Sequence, residues 1–348
     1  MDKVRAVIAG MGIGRPNGRA IAKNPRGEVV ALCDLERARM EDFAAELPGD
    51  QTLYTDYREA CRDPRANAVF VGTPNQWHVP IAREAVRNGK HVLVTKPLAD
   101  SVEAALQLVE EAEAAGVVNM MSLSNRFSEQ CQYLGNLAAD GFFGDIYYAR
   151  ARSVRRNGIP VWRGDQLRLG FIRKGGGAFR DMGVHVLDAA WWLMGTPKPV
   201  KALAVGGAKF GPHGRGFNKP AGDEIARQFE VDDYASGLVT FENGAGIHVE
   251  SFWASHFEQT VNVELFGTEA GASMRPLSIH RMEGDPQVET PEVPSEKTGM
   301  ENVADHFIDC VLDGVTCAAP LRHGLIVQQM MEAVLRSAET GRHAAVGD

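Results

Sequence analysis

Val4-Arg5-Ala6-Val7-Ile8-Ala9-Gly10-Met11-Gly12-Ile13-Gly14-Arg15-Pro16-Asn17-Gly18 is the stretch on which the fold turns. An almost uninterrupted apolar run, Val4 to Ala9, enters a cluster of glycines and is followed by a helix-like run, Arg19 to Lys23. Glycine at such a place lets the chain turn tightly and lets backbone amides at a helix N-terminus approach a pyrophosphate. The same glycines also suit a plain strand-to-helix turn, so the reading rests on what lies further along the chain. As a G-x-G-x-x-G pattern it is incomplete: counting from Gly10 puts Arg15 in the third glycine position, and counting from Gly12 puts Asn17 there. Gly10, Gly12, Ile13 and Gly14 are the candidate cofactor contacts of this turn.

Outward from that stretch, Val29 to Cys33, Val69 to Val71, Val92 to Thr95 and Val117 to Met121 repeat the pattern of short, nearly continuous apolar runs. Strands apolar on both faces belong to a parallel sheet covered by helices, the product of repeated βαβ units. Ser101 to Ala115 is the clearest intervening helix, with Ser101 as N-cap, an apolar stripe of Ala105, Leu108 and Val109, and Gly116 as its stop. The second strand ends at Cys33-Asp34, where an acidic side chain accepts hydrogen bonds from an adenosine ribose. Asp34 favours NAD over NADP. Asp34 also suits a helix N-cap for the stretch starting at Leu35, and Arg37 or Arg39 can accommodate a 2′-phosphate.

After about residue 122 the rhythm changes. Leu238 to Phe241, Ile247 to Trp253 and Val261 to Phe266 alternate like antiparallel strands with one covered face, and Asn243-Gly244 is a hairpin signal. The expected fold class is α/β: an N-terminal doubly wound parallel sheet of Rossmann type over residues 1–122, then a C-terminal α+β domain with a large, mainly antiparallel open sheet over 123–348. The boundary is placed near Ser122 to Ser124. Gly206 to Ala221 and Gly284 to Gly299 read as excursions from that sheet, and Leu321 to Gly341 as a terminal helix.

Composition narrows the class. With 348 residues, 44% hydrophobic and 24% charged, the chain has the make-up of a packed globular protein of about two domains. A net charge of -8 argues against a general nucleic-acid or anionic-membrane binder. The five cysteines, Cys33, Cys61, Cys131, Cys310 and Cys317, are odd in number and contain no C-x-x-C pair. They signal neither a disulfide framework nor a zinc cage, and no metal is expected. No apolar run approaches a membrane span, and Met1-Asp2-Lys3-Val4 leads straight into a strand without a signal-peptide core, so a cytoplasmic location is expected.

Three further motifs carry chemistry. Thr73-Pro74-Asn75-Gln76-Trp77-His78 and Thr95-Lys96-Pro97 follow the third and fourth strands, at the carboxyl ends where open α/β sheets bind ligands. Gly175-Gly176-Gly177-Ala178-Phe179-Arg180-Asp181-Met182-Gly183-Val184-His185-Val186-Leu187-Asp188 lies in the second half. Helical from Asp181 onward, it puts Asp181 and His185 on one face at i, i+4. A carboxylate beside an imidazole suits alcohol oxidation, in which loss of hydride from a C–H accompanies loss of the hydroxyl proton to a base. His185 is the candidate base, Lys96 the group that holds the oxygen, and Asp181 the partner that orients the imidazole or holds a neighbouring hydroxyl. Taken singly, Asp181 also suits an N-cap, His185 a core histidine and Lys96 a solvated strand end; the joint occurrence is what argues for a site.

On these residues the chain resembles the Gfo/Idh/MocA family of NAD(P)-dependent oxidoreductases over nearly its whole length. The resemblance rests on the glycine loop with Asp34, on Thr73-Pro74-Asn75 followed by His78, on Gly89-Lys90-His91-Val92 leading to Lys96-Pro97, and on the segment holding Asp181, His185 and Asp188. It implies that Lys96, Asp181 and His185 form the catalytic group. It also implies an N-terminal Rossmann domain, a C-terminal α/β domain whose open sheet is an oligomer interface in a dimer or tetramer, NAD as cofactor with NADP as the alternative, and sugar, inositol or related polyol substrates. Thr95 stands where the family usually has Glu, which puts a nicotinamide-ribose role for that residue in question. Gly10, Gly12, Ile13, Gly14, Asp34, Thr73, Pro74, Asn75, His78, Thr95 and Lys96 are the expected cofactor contacts.

Substrate-facing candidates, besides Lys96, Asp181 and His185, are Arg126, Arg155, Asn157 and Trp162. Donor-rich side chains suit a polyhydroxylated ligand, and Trp162 suits stacking on a pyranose face. The leading activity is oxidation of a secondary hydroxyl of a sugar, glycoside or inositol-type polyol with hydride passing to NAD. Two alternatives stay open: a glycoside hydrolase that uses NAD for transient oxidation, and a non-catalytic nucleotide-binding sensor.

Overall fold

The computed structural model describes residues 2–163 and 166–347; Met1 of the opening stretch lies outside them. In chain order the elements are β1 (Val4–Ala9), α1 (Gly14–Lys23), β2 (Gly27–Cys33), α2 (Arg37–Ala44), β3 (Thr52–Tyr54), α3 (Tyr57–Cys61), β4 (Ala68–Val71), α4 (His78–Arg87), β5 (His91–Thr95), α5 (Val102–Ala114) and β6 (Asn119–Ser122). There follow α6 (Glu129–Ala139), β7 (Ile146–Val154), β8 (Trp162–Arg163), β9 (Gln166–Leu167), α7 (Val184–Leu193), β10 (Pro199–Gly207), α8 (Asp223–Ala226), β11 (Tyr234–Phe241), β12 (Gly246–Phe252) and β13 (Thr260–Gly267). The chain closes with β14 (Gly271–Met274), β15 (Leu277–Glu283), β16 (Asp285–Glu289), α9 (Gly299–Asp313), α10 (Leu321–Thr340) and β17 (Ala344–Ala345). Two compact units result: Met1–Ser128 with Ser295–Leu325, and Glu129–Pro294 with Ile326–Asp348.

In the first unit six strands form one sheet in the order β3-β2-β1-β4-β5-β6, every pair parallel. The order reverses between β1 and β4, so the turns after those strands diverge and leave a crevice at their carboxyl ends. The apolar runs become strands because both faces are covered: Val7, Ile8, Val69, Val71, Val92 and Val94 are buried. A sixth strand, β3, has no counterpart in the sequence reading; it is three residues long and only partly buried. Helix α5 starts as expected, the Ser101 hydroxyl accepting the Ala104 N–H at 3.2 Å, and Gly116 after it has φ +64°.

Helix α9 returns to this first unit, which a single cut at residue 122 leaves out of account. A capping box of Thr298 and Glu301 starts it, and Val303, Ala304, Phe307 and Ile308 enter the first core. Asn24 donates to Asp305 at 2.7 Å and Arg26 pairs with Asp313 at 2.7 Å, tying it to the α1–β2 turn.

The second unit is a nine-stranded sheet in the order β16-β15-β14-β13-β7-β12-β11-β10-β17. It is antiparallel throughout except for β7 and β12, which run parallel at its centre. The hairpin between β11 and β12 is closed at Asn243-Gly244, where Gly244 has φ +84°. Residues Val186, Leu187, Ala190 and Trp191 of α7 share the buried core with Ala149, Ile247, Val249 and Val263 of the sheet. Elsewhere on the sheet Leu203 and Leu238, directly opposed across β10 and β11, are 58% and 40% exposed. Among the described residues no helix is long and apolar enough to cross a membrane.

Candidate active site

In the first unit the turn residues after β1, β2, β4 and β5 are Gly10–Gly14, Asp34, Thr73–Asn75 and Lys96. Gly10 has φ +91°, and a Cβ there would stand 2.5 Å from the Gly72 carbonyl oxygen, so the two loops approach at a distance that only glycine permits. At Gly12 a Cβ would meet nothing within 4 Å. The first turn of α1 carries no acidic side chain, and Ile13 at its N-cap supplies no side-chain acceptor. The N-terminal amides of α1 therefore keep their affinity for an anion. Gly14 and Gly18 do a different job: a Cβ would lie 2.9 Å from Ile8 of β1 at the first and 2.9 Å from Phe43 of α2 at the second, so they let α1 lie close on the sheet and on the neighbouring helix. This is the packing role of the missing third fingerprint glycine.

The Asp34 carboxylate accepts the Met11 N–H at 2.7 Å and the Glu36 N–H at 3.1 Å. It is not the N-cap of α2, a position held by Glu36. Arg39 lies 3.6 Å from Asp34 and Arg37 pairs with Glu41 at 3.0 Å. Thr73 Oγ1 is buried and has no hydrogen-bond partner among the described residues. An open cradle at Gly12, bare helix amides, a carboxylate fixed at the end of β2 and an orphaned hydroxyl after β4 together fit a dinucleotide. Pro74 is exposed and Asn75 half-buried, while Thr95 is buried at the end of β5 and Lys96 half-buried after it. The Lys96–Pro97 peptide bond is cis.

Two expected contact residues have other work. The side chain of His78 is 0% exposed, with Nδ1 2.7 Å from the Pro97 carbonyl oxygen and Nε2 2.8 Å from that of Thr73. Burial holds this imidazole below its ordinary pKa, and the two carbonyls act against that. It links the loop after β4 to the loop after β5 and does not face a ligand. Arg126 is likewise 0% exposed: its guanidinium donates to the Ala318 carbonyl and meets His323 Nδ1 at 3.0 Å. A buried cation spent on a loop carbonyl is not available to a substrate, so the substrate-contact expectation for Arg126 is corrected to a structural one. His323 is pushed down to about 4, by burial first and by Arg126 second.

In the second unit the parallel pair β7 and β12 delivers its residues to one edge. Arg155 follows β7, its N–H donating to Phe252 O at 2.8 Å, and Asn157 bridges to Ala254 beyond β12. The triple glycine gives a sharp entry to the next segment: Gly175 and Gly177 have φ +91° and +110°, and a Cβ on Gly177 would stand 2.1 Å from Asp232 Oδ1. Phe179–Gly183 is one turn of π-helix, which runs directly into α7. Such turns concentrate at functional positions. Asp181 sits on this turn and His185 four residues on, both half-buried.

The turn is anchored on three sides. The Phe179 N–H donates to Asp232 Oδ2 at 2.9 Å, the Ser251 hydroxyl to the Ala178 carbonyl at 2.8 Å, and Arg180 forks onto Glu332 with a shortest contact of 2.7 Å. Burial pushes Asp232 up to about 6. The Trp253 indole, wholly buried, donates from Nε1 to Asp181 Oδ2 at 3.1 Å. In the sequence Trp253 stands only as the end of an alternating strand. Nothing in the pattern marks an indole 72 positions away as the carboxylate's partner. Asp233 caps a neighbouring loop, accepting from the Phe210 and Gly211 N–H groups at 2.7 and 2.9 Å.

Among the substrate-facing candidates, Arg155 Nη1 donates to the Gly158 carbonyl at 3.3 Å. Asn157 is exposed beside a surface depression formed with Gly214–Ala221. Trp162 packs on the small core that contains Met182 and Trp253, and its indole Nε1 is buried without an acceptor among the described residues.

A doubly wound sheet with a dinucleotide cradle, followed by a unit presenting a held carboxylate and an imidazole on one helical turn, defines a nucleotide-dependent oxidoreductase. The sequence matches the family described as "Oxidoreductase family, NAD-binding Rossmann fold" over residues 4–123 and the "GFO/IDH/MocA C-terminal domain" over 131–273. The chain belongs to the GFO/IDH/MocA family and is an NAD-dependent oxidoreductase. It is 29% identical over 319 residues to the D-glucoside 3-dehydrogenase of Escherichia coli, covering 90% of this chain and 89% of that one. Identity to the scyllo-inositol 2-dehydrogenase (NAD(+)) of Bacillus subtilis is 28% over 269 residues, 77% of this chain and 72% of that one. In fold it is similar to a levoglucosan dehydrogenase solved with NADH and levoglucosan, with TM-score 0.84, 20% identity and coverage of 99% and 100%.

Proposed function

We propose that this enzyme oxidises a secondary hydroxyl of a sugar, glycoside or inositol-type polyol, with Lys96, Asp181 and His185 as its acid-base group. The observation that carries the reading is the Asp181 carboxylate, held by Trp253 on the π-helical turn that runs directly into α7, where His185 follows four residues on. The names of the relatives, dehydrogenases of glucosides and inositols, support the substrate class.

NAD, when bound, supplies the hydride acceptor. Gly10, Gly12, Ile13 and Gly14 with the α1 amides hold its pyrophosphate, Asp34 its adenosine ribose, and Thr73, Pro74, Asn75, Thr95 and Lys96 line the nicotinamide side. In this reading His185 takes the hydroxyl proton and Lys96 stabilises the developing alkoxide, a division of labour that acid-base catalysis supports by about 10²–10⁴-fold per positioned group. Asp181 fixes the imidazole or holds a neighbouring hydroxyl. Arg155, Asn157 and the unsatisfied Trp162 Nε1 are the donors for the remaining hydroxyls.

Residues 1–122, completed by the returning α9, serve the cofactor, and the remainder of 123–348 serves substrate and self-association. The exposed apolar pair Leu203 and Leu238 supports a second copy of the chain as what covers the sheet. A cytoplasmic location agrees with cysteines that are all free thiols.

The test is polyol-dependent NADH formation by purified protein across a panel of sugars, glycosides and inositols. Substrate-dependent absorbance that falls at least about 100-fold in His185→Ala and Lys96→Ala, with NAD binding kept, is expected. Release of free aglycone at constant cofactor redox state would replace the dehydrogenase by a hydrolase. Silence across the panel with both nicotinamides would overturn the reading.

A further inference from the structure

Away from the crevice, three chemically soft side chains meet in the first unit. Cys310 lies on α9 one turn after His306, and Cys317 lies in the connection that leads to α10. One ligand atom from each, the two sulfurs and an imidazole nitrogen, all lie within 4.8 Å of one another. Cys310 is 3% exposed, whereas Cys317 is half-buried. Cys310 Sγ stands 3.4 Å from His306 Nε2, and the same nitrogen accepts the Ala318 N–H at 2.9 Å.

That last bond decides between two kinds of chemistry. A metal ion would need the His306 Nε2 lone pair, which the Ala318 amide already occupies. A disulfide needs only the two sulfurs to close from under 4.8 Å to the ordinary bond length of about 2.05 Å. The connection can supply that movement, since Asp313 to Thr316 are exposed and Gly314 turns the chain with φ +69°.

We propose that Cys310 and Cys317 form a reversible dithiol–disulfide couple, with Cys317 as the attacking sulfur, Cys310 as the resolving sulfur, and a small-molecule disulfide of the glutathione class as oxidant. The Cys317 thiolate attacks one sulfur of the oxidant, forming a mixed disulfide and releasing one thiolate, which takes up the proton that Cys317 gave. Cys310 then loses its proton, attacks the Cys317 sulfur and displaces the second thiol. The net change is two protein thiols oxidised to one disulfide and one oxidant molecule reduced to two thiols. Proton sharing favours this order: the hydrogen bond from Cys310 holds Cys317 below its ordinary value, and the same bond raises Cys310.

The couple sits where a small movement reaches the sheet. Ala319, two residues after Cys317, accepts the Met121 N–H at 2.9 Å, and Pro320 bridges to Met120, so this connection docks on the edge strand β6. Asn119 of the same strand lies 3.9 Å from Cys317 Sγ through its carbonyl oxygen and accepts the Leu321 N–H through its side chain at 3.2 Å.

The full-length reduced protein, exposed to glutathione disulfide, tests the proposal by thiol release, intact mass and peptide mapping after unfolding in alkylating agent. The parent is expected to lose two hydrogens, release two glutathione thiols per chain and yield a Cys310–Cys317 link. Cys310→Ser should stall as a glutathione adduct on Cys317. Cys317→Ser should react no faster than Cys33 and Cys61, at least about tenfold below the parent, since burial pushes those thiols up to about 12. Circular dichroism of both variants confirms that they fold. The proposal is overturned if no link forms in the parent, if Cys310→Ser carries no adduct on Cys317, or if the parent holds stoichiometric zinc that Cys317→Ser loses. None of these readouts depends on hydride transfer.

Discussion

Replacing Gly12 with alanine adds one methyl group at a position where a Cβ meets nothing within 4 Å and where φ is outside the left-handed region. In the free protein the change should be harmless. Losing glycine's freedom in the unfolded chain stabilises by about 0.4–1 kcal/mol where the backbone is compatible, an upward shift of about 0.5–1.5 °C for a chain of this size. The cofactor sees it differently, because the methyl projects into the cradle proposed for the pyrophosphate. An extra methyl in a well-packed contact costs about 1–3 kcal/mol, which at about 1.4 kcal/mol per tenfold weakens NAD by about 5- to 150-fold. Gly10→Ala is the control of opposite sign. Its Cβ would stand 2.5 Å from the Gly72 carbonyl oxygen at φ +91°. The left-handed backbone alone costs about 1–2 kcal/mol, and the rigid backbone contact adds to it, so the melting temperature should fall by several degrees. Thermal melts with and without NAD, together with a fluorescence titration, separate the two variants. The cradle assignment is refuted if Gly12→Ala binds NAD as the parent does, or if it melts as low as Gly10→Ala.

Other consequences are as direct. His78→Phe removes the one N–H that the neutral imidazole gives to a carbonyl of the two loops, at about 1–3 kcal/mol; urea denaturation should show a loss of about 1–3 kcal/mol, and a loss under about 0.5 kcal/mol would contradict the linking role. His323 is held down to about 4 in the fold, so it stays neutral there while the unfolded chain takes up a proton below its ordinary value of 6.5. Its contribution is therefore complete above about 6.5 and is lost as pH falls toward 4. His323→Gln should flatten that part of a stability-versus-pH curve, and an unchanged slope would remove His323 as its source. Trp253→Phe removes the indole donor from Asp181; turnover should drop about tenfold with KM for NAD unchanged, whereas equal loss of cofactor binding would point to general unfolding. Leu203→Glu should break self-association in sedimentation if a second copy covers the sheet, and no change in mass would exclude that face.

Much of the fold was legible because it depends on local patterns. Five apolar runs gave five of the six parallel strands, and the sixth escaped because Thr52–Tyr54 is too short and too exposed to make a run. Asn243-Gly244 announced its hairpin through chemistry that few other pairs share. The parallel pairing of β7 with β12 was not legible, since strand partners far apart in sequence leave no periodicity. The same holds for α9, whose return to the first core depends on long-range burial of Phe307 and Ile308. In the site, the residues at strand ends were readable from position, whereas their partners were not. Burial separates His78 and Arg126, both polar residues beside a plausible site, from ligand contacts. Burial is a property of the whole molecule. The five cysteines likewise looked unrelated in sequence, yet the α9–α10 connection brings Cys310 and Cys317 together with His306.

Under the proposed function, Lys96 and His185 act on the same substrate hydroxyl. A crystal structure of the enzyme with NAD and a polyol substrate measures this directly. Lys96 Nζ and His185 are expected within about 2.6–3.2 Å of the same hydroxyl oxygen, whose carbon faces C4 of the nicotinamide. A hydroxyl that meets neither group, or a nicotinamide seated away from Lys96, would contradict the account.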